Sequence, residues 1–290
     1  MKLSGRVGGF AFVAPFVAIY CFLLILPFFM GLWISLHRAD LFGARQFVGL
    51  ENYARLFADP VFYQAMGTTF TLALMIVPVL TIITLLLALA LNRATRSAAI
   101  FRGLFFSSSV LSVTIVTLIW RFVLTPDAGL IAKLLTSIGF EPIPFLSHPD
   151  LTIPAIAITT IWWGLGLPMM LFLAGLQQIP QDIYEAAALD RASRWTTFFR
   201  ITLPSLRRTI ILVVMLQTAA QLQIFGQAQL LTSGGPSGTS RPIVLYIYEI
   251  AFGRWELGYA IAAAEVLFVL VLVLTLAQYW LSVRTEDKQT

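Results

Sequence analysis

Six long stretches of this chain carry almost no charge, and each is long enough to cross a lipid bilayer. No charge lies between Arg6 and His37. The next gaps run from Asp59 to Arg93, Arg102 to Arg121, Asp150 to Asp182 and Arg208 to Arg241. The last runs from Glu256 to Arg284 and is interrupted only by Glu265. A helix needs about 20 apolar residues to span the hydrocarbon core. The runs are too long and too uniformly apolar to be strands, which would need alternation or frequent turns. They predict spans at roughly 10–36, 67–91, 103–124, 152–175, 208–231 and 259–282. Composition agrees. Of the 290 residues, 59% are hydrophobic and only 11% charged, against about 25% charged in an ordinary soluble domain. So few charges do not cover the surface of a soluble protein of this length. The expected fold is all-α and polytopic, with six transmembrane helices in one domain over residues 1–290.

The first run is too long for a signal-peptide core, and no small-x-small cleavage site follows it, so it is read as a retained anchor. The single Cys21 lies inside that run and excludes an internal disulfide framework. The net charge of +5 is read as orientation, not as nucleic-acid binding; no nucleic-acid partner is expected. With the N-terminus in the cytoplasm, seven of the 19 Lys and Arg lie outside: Arg38, Arg45, Arg55, Arg121, Lys133, Arg241 and Arg254. The other twelve, Lys2 and Lys288 among them, lie inside. This bias favours both termini in the cytoplasm.

Three loops then face outward. The first, roughly 37–66, is rich in aromatic residues, among them Phe42 and Tyr53. The second, roughly 125–151, is turn-rich, and the third opens on the Thr232–Ser240 stretch, a flexible hinge by composition. None is long enough for a folded extracytoplasmic domain. The cytoplasmic segment 176–207 is different. Pro180 and Pro204 bracket it. Asp182, with Glu185 three residues on, suits the cap of a short helix carrying Ala186, Ala187 and Ala188. Asp190 or Ser193 suits the start of a second short helix whose Trp195 and Phe198 share a face. Small and aromatic faces exposed in the cytoplasm make a docking surface for a partner, whereas a plain connector leaves Trp195, Phe198 and Phe199 unexplained.

Glu185-Ala186-Ala187, Asp190, Ala192, Phe198, Ile201, Leu203 and Pro204 resemble the EAA signature of binding-protein-dependent ABC importer permeases. Where the family has Gly after the Asp, this chain has Arg191. That Gly would serve the tight turn between two short helices. With Arg191, either the turn uses ordinary backbone angles or the docking geometry differs. The resemblance covers nearly the whole chain. It includes Val48-Gly49-Leu50-Glu51-Asn52-Tyr53, Pro126-Asp127-Ala128-Gly129-Leu130 and Leu231-Thr232-Ser233-Gly234-Gly235-Pro236. The pattern is similar to the carbohydrate-uptake subgroup, the branch that includes maltose and glycerol-3-phosphate permeases. This implies a type I importer permease in a bacterial or archaeal cytoplasmic membrane. It also implies a second, similar permease, two cytoplasmic ABC ATPase subunits and an extracytoplasmic solute-binding protein as partners, besides membrane lipid. ATP and Mg would be bound by the ATPases, with no cofactor in this chain. The chain has no G-x-x-x-x-G-K-[ST] phosphate loop. No catalytic residue and no metal site is expected.

Sugars require hydrogen-bonding groups and aromatic faces. Gln217 and Gln221, four apart in the fifth span, share a face. Gln223 and Gln227 form a second pair on a different face, so a regular helix cannot aim all four at one cavity unless Gly226 breaks it. Phe225, Trp162 and Trp163 are further path candidates, and helix packing is the competing role for the amides. Glu265 is the one carboxylate well inside a span and defaults to a cavity or a polar pair. The alternative function is an ion-gradient-driven secondary transporter. It needs coupling-ion ligands within the spans, where Glu265 alone qualifies.

Overall fold

Helices occupy all six predicted stretches, but only three run through unbroken. The structure is a computed structural model that describes residues 5–40, 43, 45–126 and 128–286, with side chains within 12–282. Phe42, Asp127, Lys2 and Lys288, used above, lie outside the described residues. Helix α1 (Gly5–Tyr20) continues through a wider turn at Cys21–Ile25 into α2 (Leu26–Ser35). A two-stranded antiparallel hairpin follows, β1 (His37–Ala39) and β2 (Arg45–Phe47), then α3 (Glu51–Ala58) and the long α4 (Pro60–Leu91). Next come α5 (Arg96–Ser108), α6 (Val113–Leu124), α7 (Leu130–Ser137), α8 (Pro149–Trp163) and α9 (Gly166–Gln177). The predicted docking segment holds α10 (Gln181–Leu189), α11 (Arg194–Thr197) and α12 (Leu203–Ser205). The chain ends with α13 (Arg207–Gln221), α14 (Gly226–Leu231), α15 (Ile243–Tyr248) and α16 (Leu257–Glu286).

Among the described residues, Phe12–Ser35, Pro60–Leu91 and Leu257–Ser282 are long and apolar enough to cross a membrane singly. Two further apolar stretches are bent helix pairs, each a broken span or a re-entrant loop: α5 with α6 at 97°, and α8 with α9 at 49°. The predicted run 208–231 is also two helices, α13 and α14, parted at residues 222–225. Local chemistry accounts for the first bend. Ser107 and Ser108 turn their hydroxyls back onto Leu104 and Phe105 carbonyls, which weakens the end of α5. Ser112 then restarts the chain as an N-cap, its Oγ accepting from the Ile115 N–H at 3.4 Å.

By its contacts the chain forms two units, residues 1–62 with 246–269, and residues 63–245 with 270–290. In the first, Asn52 is buried and donates to the carbonyls of Ser35 (2.7 Å) and His37 (2.9 Å), fixing α3 against the end of α2. Asp59 accepts from the hydroxyls of Tyr246 (2.7 Å) and Tyr259 (3.1 Å) and from the Val61 N–H (2.8 Å). Burial pushes the Asp59 carboxyl up, but the hydrogen bonds from Tyr246, Val61 and Tyr259 outweigh it and hold the group below the usual carboxylate range. Arg55 pairs with Glu256 at 2.5 Å and lies over the Tyr259 ring. This polar cluster ties residues some 190 apart in sequence.

Among its described residues the second unit holds two apolar cores. One joins Leu72, Ile76 and Leu80 of α4 to Ile156 of α8 and Ala228 of α14. The other joins Met169, Phe172 and Leu176 of α9 to Leu206 and Val213. Where α9 and α13 meet, Gly175 permits a close approach: a Cβ there would come within 2.6 Å of Thr209 Oγ1. Small residues that let backbones approach are the ordinary means of joining helices in lipid, where no hydrophobic force favours helix over tail. This contact anchors both stems of the docking segment.

Candidate functional site

The docking segment folds as two short helices joined by a tight turn, which is the arrangement its sequence suggests. Its start differs from expectation. Pro180 is the N-cap of α10, and Asp182 sits in the first turn without a side-chain capping bond. Proline's fixed φ and missing N–H fit that boundary, and Asp182 there still favours the positive end of the helix dipole. Ser193 caps α11 as expected, its Oγ accepting from the Thr196 N–H at 3.1 Å. Tyr184 reaches the Thr202 hydroxyl at 3.1 Å and ties the two halves together.

Ala187 is buried, while Glu185 and Ala186 are exposed. Ala186, Ala187 and Ala192 line a groove of about 500 Å³ with Asp182, Asp190 and Arg200 at its edges. Glu185 lies off that groove. Beside it the segment leaves large apolar side chains in the open: Leu189 is 86% exposed, Trp195 73% and Phe199 56%. Trp195 stacks on Phe199, four residues on, with ring centroids 6.0 Å apart. Phe198 is half-buried and meets Phe199 edge-on at 4.9 Å. The i,i+4 pair is the one whose side chains lie one above the other.

The turn itself answers the question raised by Arg191. Asp190 is the C-cap of α10, and Arg191 follows at φ 54°, the left-handed region. The Ala192 N–H donates to Ala187 O at 2.9 Å and the Arg191 N–H to Ala188 O at 3.1 Å. This is a Schellman closure, with Arg191 in the position glycine favours. The turn therefore keeps the geometry a glycine would give. A left-handed backbone costs an L-residue roughly 1–2 kcal/mol, partly offset because glycine loses more freedom on folding. Arg191→Gly should leave the loop intact and stabilise it by about 1 kcal/mol or less. Hydrogen exchange at the Ala192 amide measures this, and faster exchange in Arg191→Gly would contradict it.

The second candidate site lies at the break between α13 and α14. The last turn of α13 tightens, with Gln223 N–H to Ala220 O and Ile224 N–H to Gln221 O both at 3.3 Å. Phe225 then swings out to φ −140°, ψ −64° before α14 begins at Gly226. The break redirects the chain so that Gln217, Gln221, Gln223 and Gln227 all line one cavity of about 490 Å³, with Ser109, Trp163 and Phe225. A regular helix would have split these amides between two faces. Gln221 Nε2 donates to Gln217 Oε1 at 3.2 Å, and Gln223 Nε2 to Ala219 O at 3.0 Å. The Trp163 indole N–H donates to Leu111 O at 3.0 Å, which holds the ring in the wall.

Gly226 is required here by contact rather than by backbone angle. A Cβ at this position would lie 2.8 Å from Val113 Cγ2, and Val113, being β-branched, has little rotamer freedom in a helix. Gly226→Ala should destabilise the purified protein by about 1–3 kcal/mol through overpacking. Adding Val113→Ala should recover most of that loss in thermal unfolding. Equal melting temperatures for the single and double variants would show that this contact does not set the position of α14.

Two candidates lie elsewhere. Trp162 is not in the cavity wall; it packs edge-to-face on Trp120 with centroids 6.0 Å apart. Glu265 belongs to the first unit, where its Oε1 sits against Gly31 of α2, 3.1 Å from where a Cβ would be. The sequence signal for Gln223 and Gln227 as cavity residues is Gly226, the helix breaker between them.

Residues 60–287 match the family model described as "Binding-protein-dependent transport system inner membrane component". The chain is 33% identical over 277 residues to the trehalose/maltose transport system permease protein MalF of Thermococcus litoralis, covering 95% of this chain and 92% of that protein. Its fold is similar to a solved bacterial ABC transporter involved in import of the acidic polysaccharide alginate, with TM-score 0.85, 25% identity, and 95% and 94% of the two chains covered. The same values hold for a bacterial alginate ABC transporter in complex with an alginate pentasaccharide-bound periplasmic protein.

Proposed function

The chain belongs to the family of binding-protein-dependent transport system inner membrane components, and on that premise we propose that it forms half of an ATP-driven import path for a sugar or a related polyol or glycerophosphate. Its relatives are named for trehalose/maltose and alginate transport, which supports a carbohydrate. The single observation that carries the reading is the docking segment. Leu189, Trp195 and Phe199 stand open to solvent beside a small-residue groove, and large exposed apolar side chains grouped in this way mark an interface. We assign Glu185, Ala186, Ala187, Asp190, Arg191, Ala192, Trp195 and Phe198 to contact with an ATPase subunit. Two such ATPases and a second, homologous permease complete the assembly, and a solute-binding protein delivers the substrate from outside. The amide-lined cavity supplies the substrate path, with Gln217, Gln221, Phe225 and Trp163 in its wall. ATP binding closes the ATPase pair, the docking helices move with it, and the spans reopen outward.

This reading places both termini and the docking segment in the cytoplasm. Ser237 is exposed in the opposite loop. In a Cys21→Ser background, Ser237→Cys should react with a membrane-impermeant thiol reagent in intact cells. Reaction only after permeabilisation would invert the topology and overturn the assignment of the docking segment.

A further inference from the structure

The cavity at the helix break is defined as much by charge as by shape. None of the side chains that line it is Asp, Glu, Lys, Arg or His. Its polar groups are amides and hydroxyls, which both donate and accept. A uronic acid would bring one carboxylate per ring into this space with no cation of this chain to meet it. An unpaired buried charge is strongly disfavoured, whereas a neutral hydroxyl needs only a hydrogen-bonding partner.

The polar groups are also unequally engaged. Gln221 is bonded to Gln217, and the Gln223 amide donates to the backbone. Gln227 is different: it is only 7% exposed, lines the cavity, and among the described residues has no side-chain hydrogen-bond partner, so its amide is open to the cavity. Ser109 Oγ, also in the wall, is buried and without a partner. A buried hydroxyl left unpaired is costly, and a ligand hydroxyl relieves Ser109 while bonding the Gln227 amide beside it. The pinned Trp163 adds a flat apolar wall of the kind that covers the C–H face of a sugar ring.

We propose that this cavity selects uncharged, polyhydroxylated substrates and excludes acidic ones, and that Gln227 is a specificity-determining residue that hydrogen-bonds the sugar hydroxyls. The proposal rests on the importer reading above. The experiment uses the assembled transporter, with calorimetric titration of neutral di- and trisaccharides, including trehalose and maltotriose, and of tri-guluronate. At least one neutral sugar should bind at least tenfold more tightly than the uronate. Gln227→Leu should weaken the neutral sugar about tenfold. Gln227→Arg, which supplies the missing cation, should improve uronate binding tenfold or more while weakening the neutral sugar. Uronate binding as tight as the neutral sugars in the parent transporter would overturn the proposal, and that comparison needs no variant to fold. So would assembled Gln227→Leu and Gln227→Arg transporters that bind both classes like the parent. ATP-dependent uptake in proteoliposomes separates the two levels. Uptake of uronates in preference to neutral sugars would sink the charge selection alone. ATP-independent uptake of any sugar would sink the importer reading and this proposal with it.

Discussion

Glu185→Lys and Ala187→Asp should each lower transport at least tenfold while the spans still insert, and they should do so by different routes. Glu185 is exposed and lies off the groove, so reversing its charge leaves this chain's fold unaltered and acts at the partner surface. Truncating or reversing one member of a buried interfacial charge pair typically removes 2–5 kcal/mol. The ATPases should dissociate from Glu185→Lys complexes, or hydrolyse ATP without uptake. Ala187 is 8% exposed and its carbonyl accepts the bond that closes the turn. An aspartate there is forced against the groove floor, which disfavours a charge, so Ala187→Asp should distort the docking face itself. Co-purification of the ATPases and the ratio of ATP hydrolysed to sugar imported distinguish the two. Complexes of both variants that keep their ATPases and transport at the parental rate would remove residues 182–199 from the docking role.

The second large effect is expected from the paired amides. Gln217→Leu with Gln221→Leu removes both ends of one hydrogen bond, so no buried partner is left unsatisfied and the fold should tolerate the change. Assembly should therefore be retained. Two amides are lost from the cavity wall, and each hydrogen bond to substrate contributes about 0.5–1.5 kcal/mol. Uptake per assembled complex should fall about 10- to 100-fold. Impaired assembly with unaltered turnover per complex would assign Gln217 and Gln221 to helix packing instead.

The contrast between these sites shows what the sequence carried legibly. The six apolar runs are a summed property of some twenty residues each, and helices do occupy them. Helix breaks are decided by single contacts. The bend after Ser108 lies beside hydroxyls turned back onto the chain, and α14 begins at Gly226, where only a glycine fits against Val113. Neither is visible to hydropathy, so the four amides read as two faces although they share one cavity. In the docking segment Ser193 was readable as a cap because its role is local. Arg191 was not readable. Nothing in an arginine signals a left-handed turn, and the Schellman bonds from Ala192 and Arg191 hold it there against its own preference. Trp195 stacks on Phe199, not Phe198, because the residue four positions on lies above it along the helix.

The central claim is that this chain moves sugar only as part of an ATP-driven assembly. The most direct measurement is uptake of labelled sugar into proteoliposomes. These would hold this chain alone, this chain with its permease partner, or both permeases with the ATPases and the binding protein supplied at the loading face. Uptake should occur only in the complete assembly, stop when ATP is withheld, and be indifferent to an imposed proton or sodium gradient. Sugar accumulation by this chain alone, driven by an ion gradient without ATP, would contradict the account.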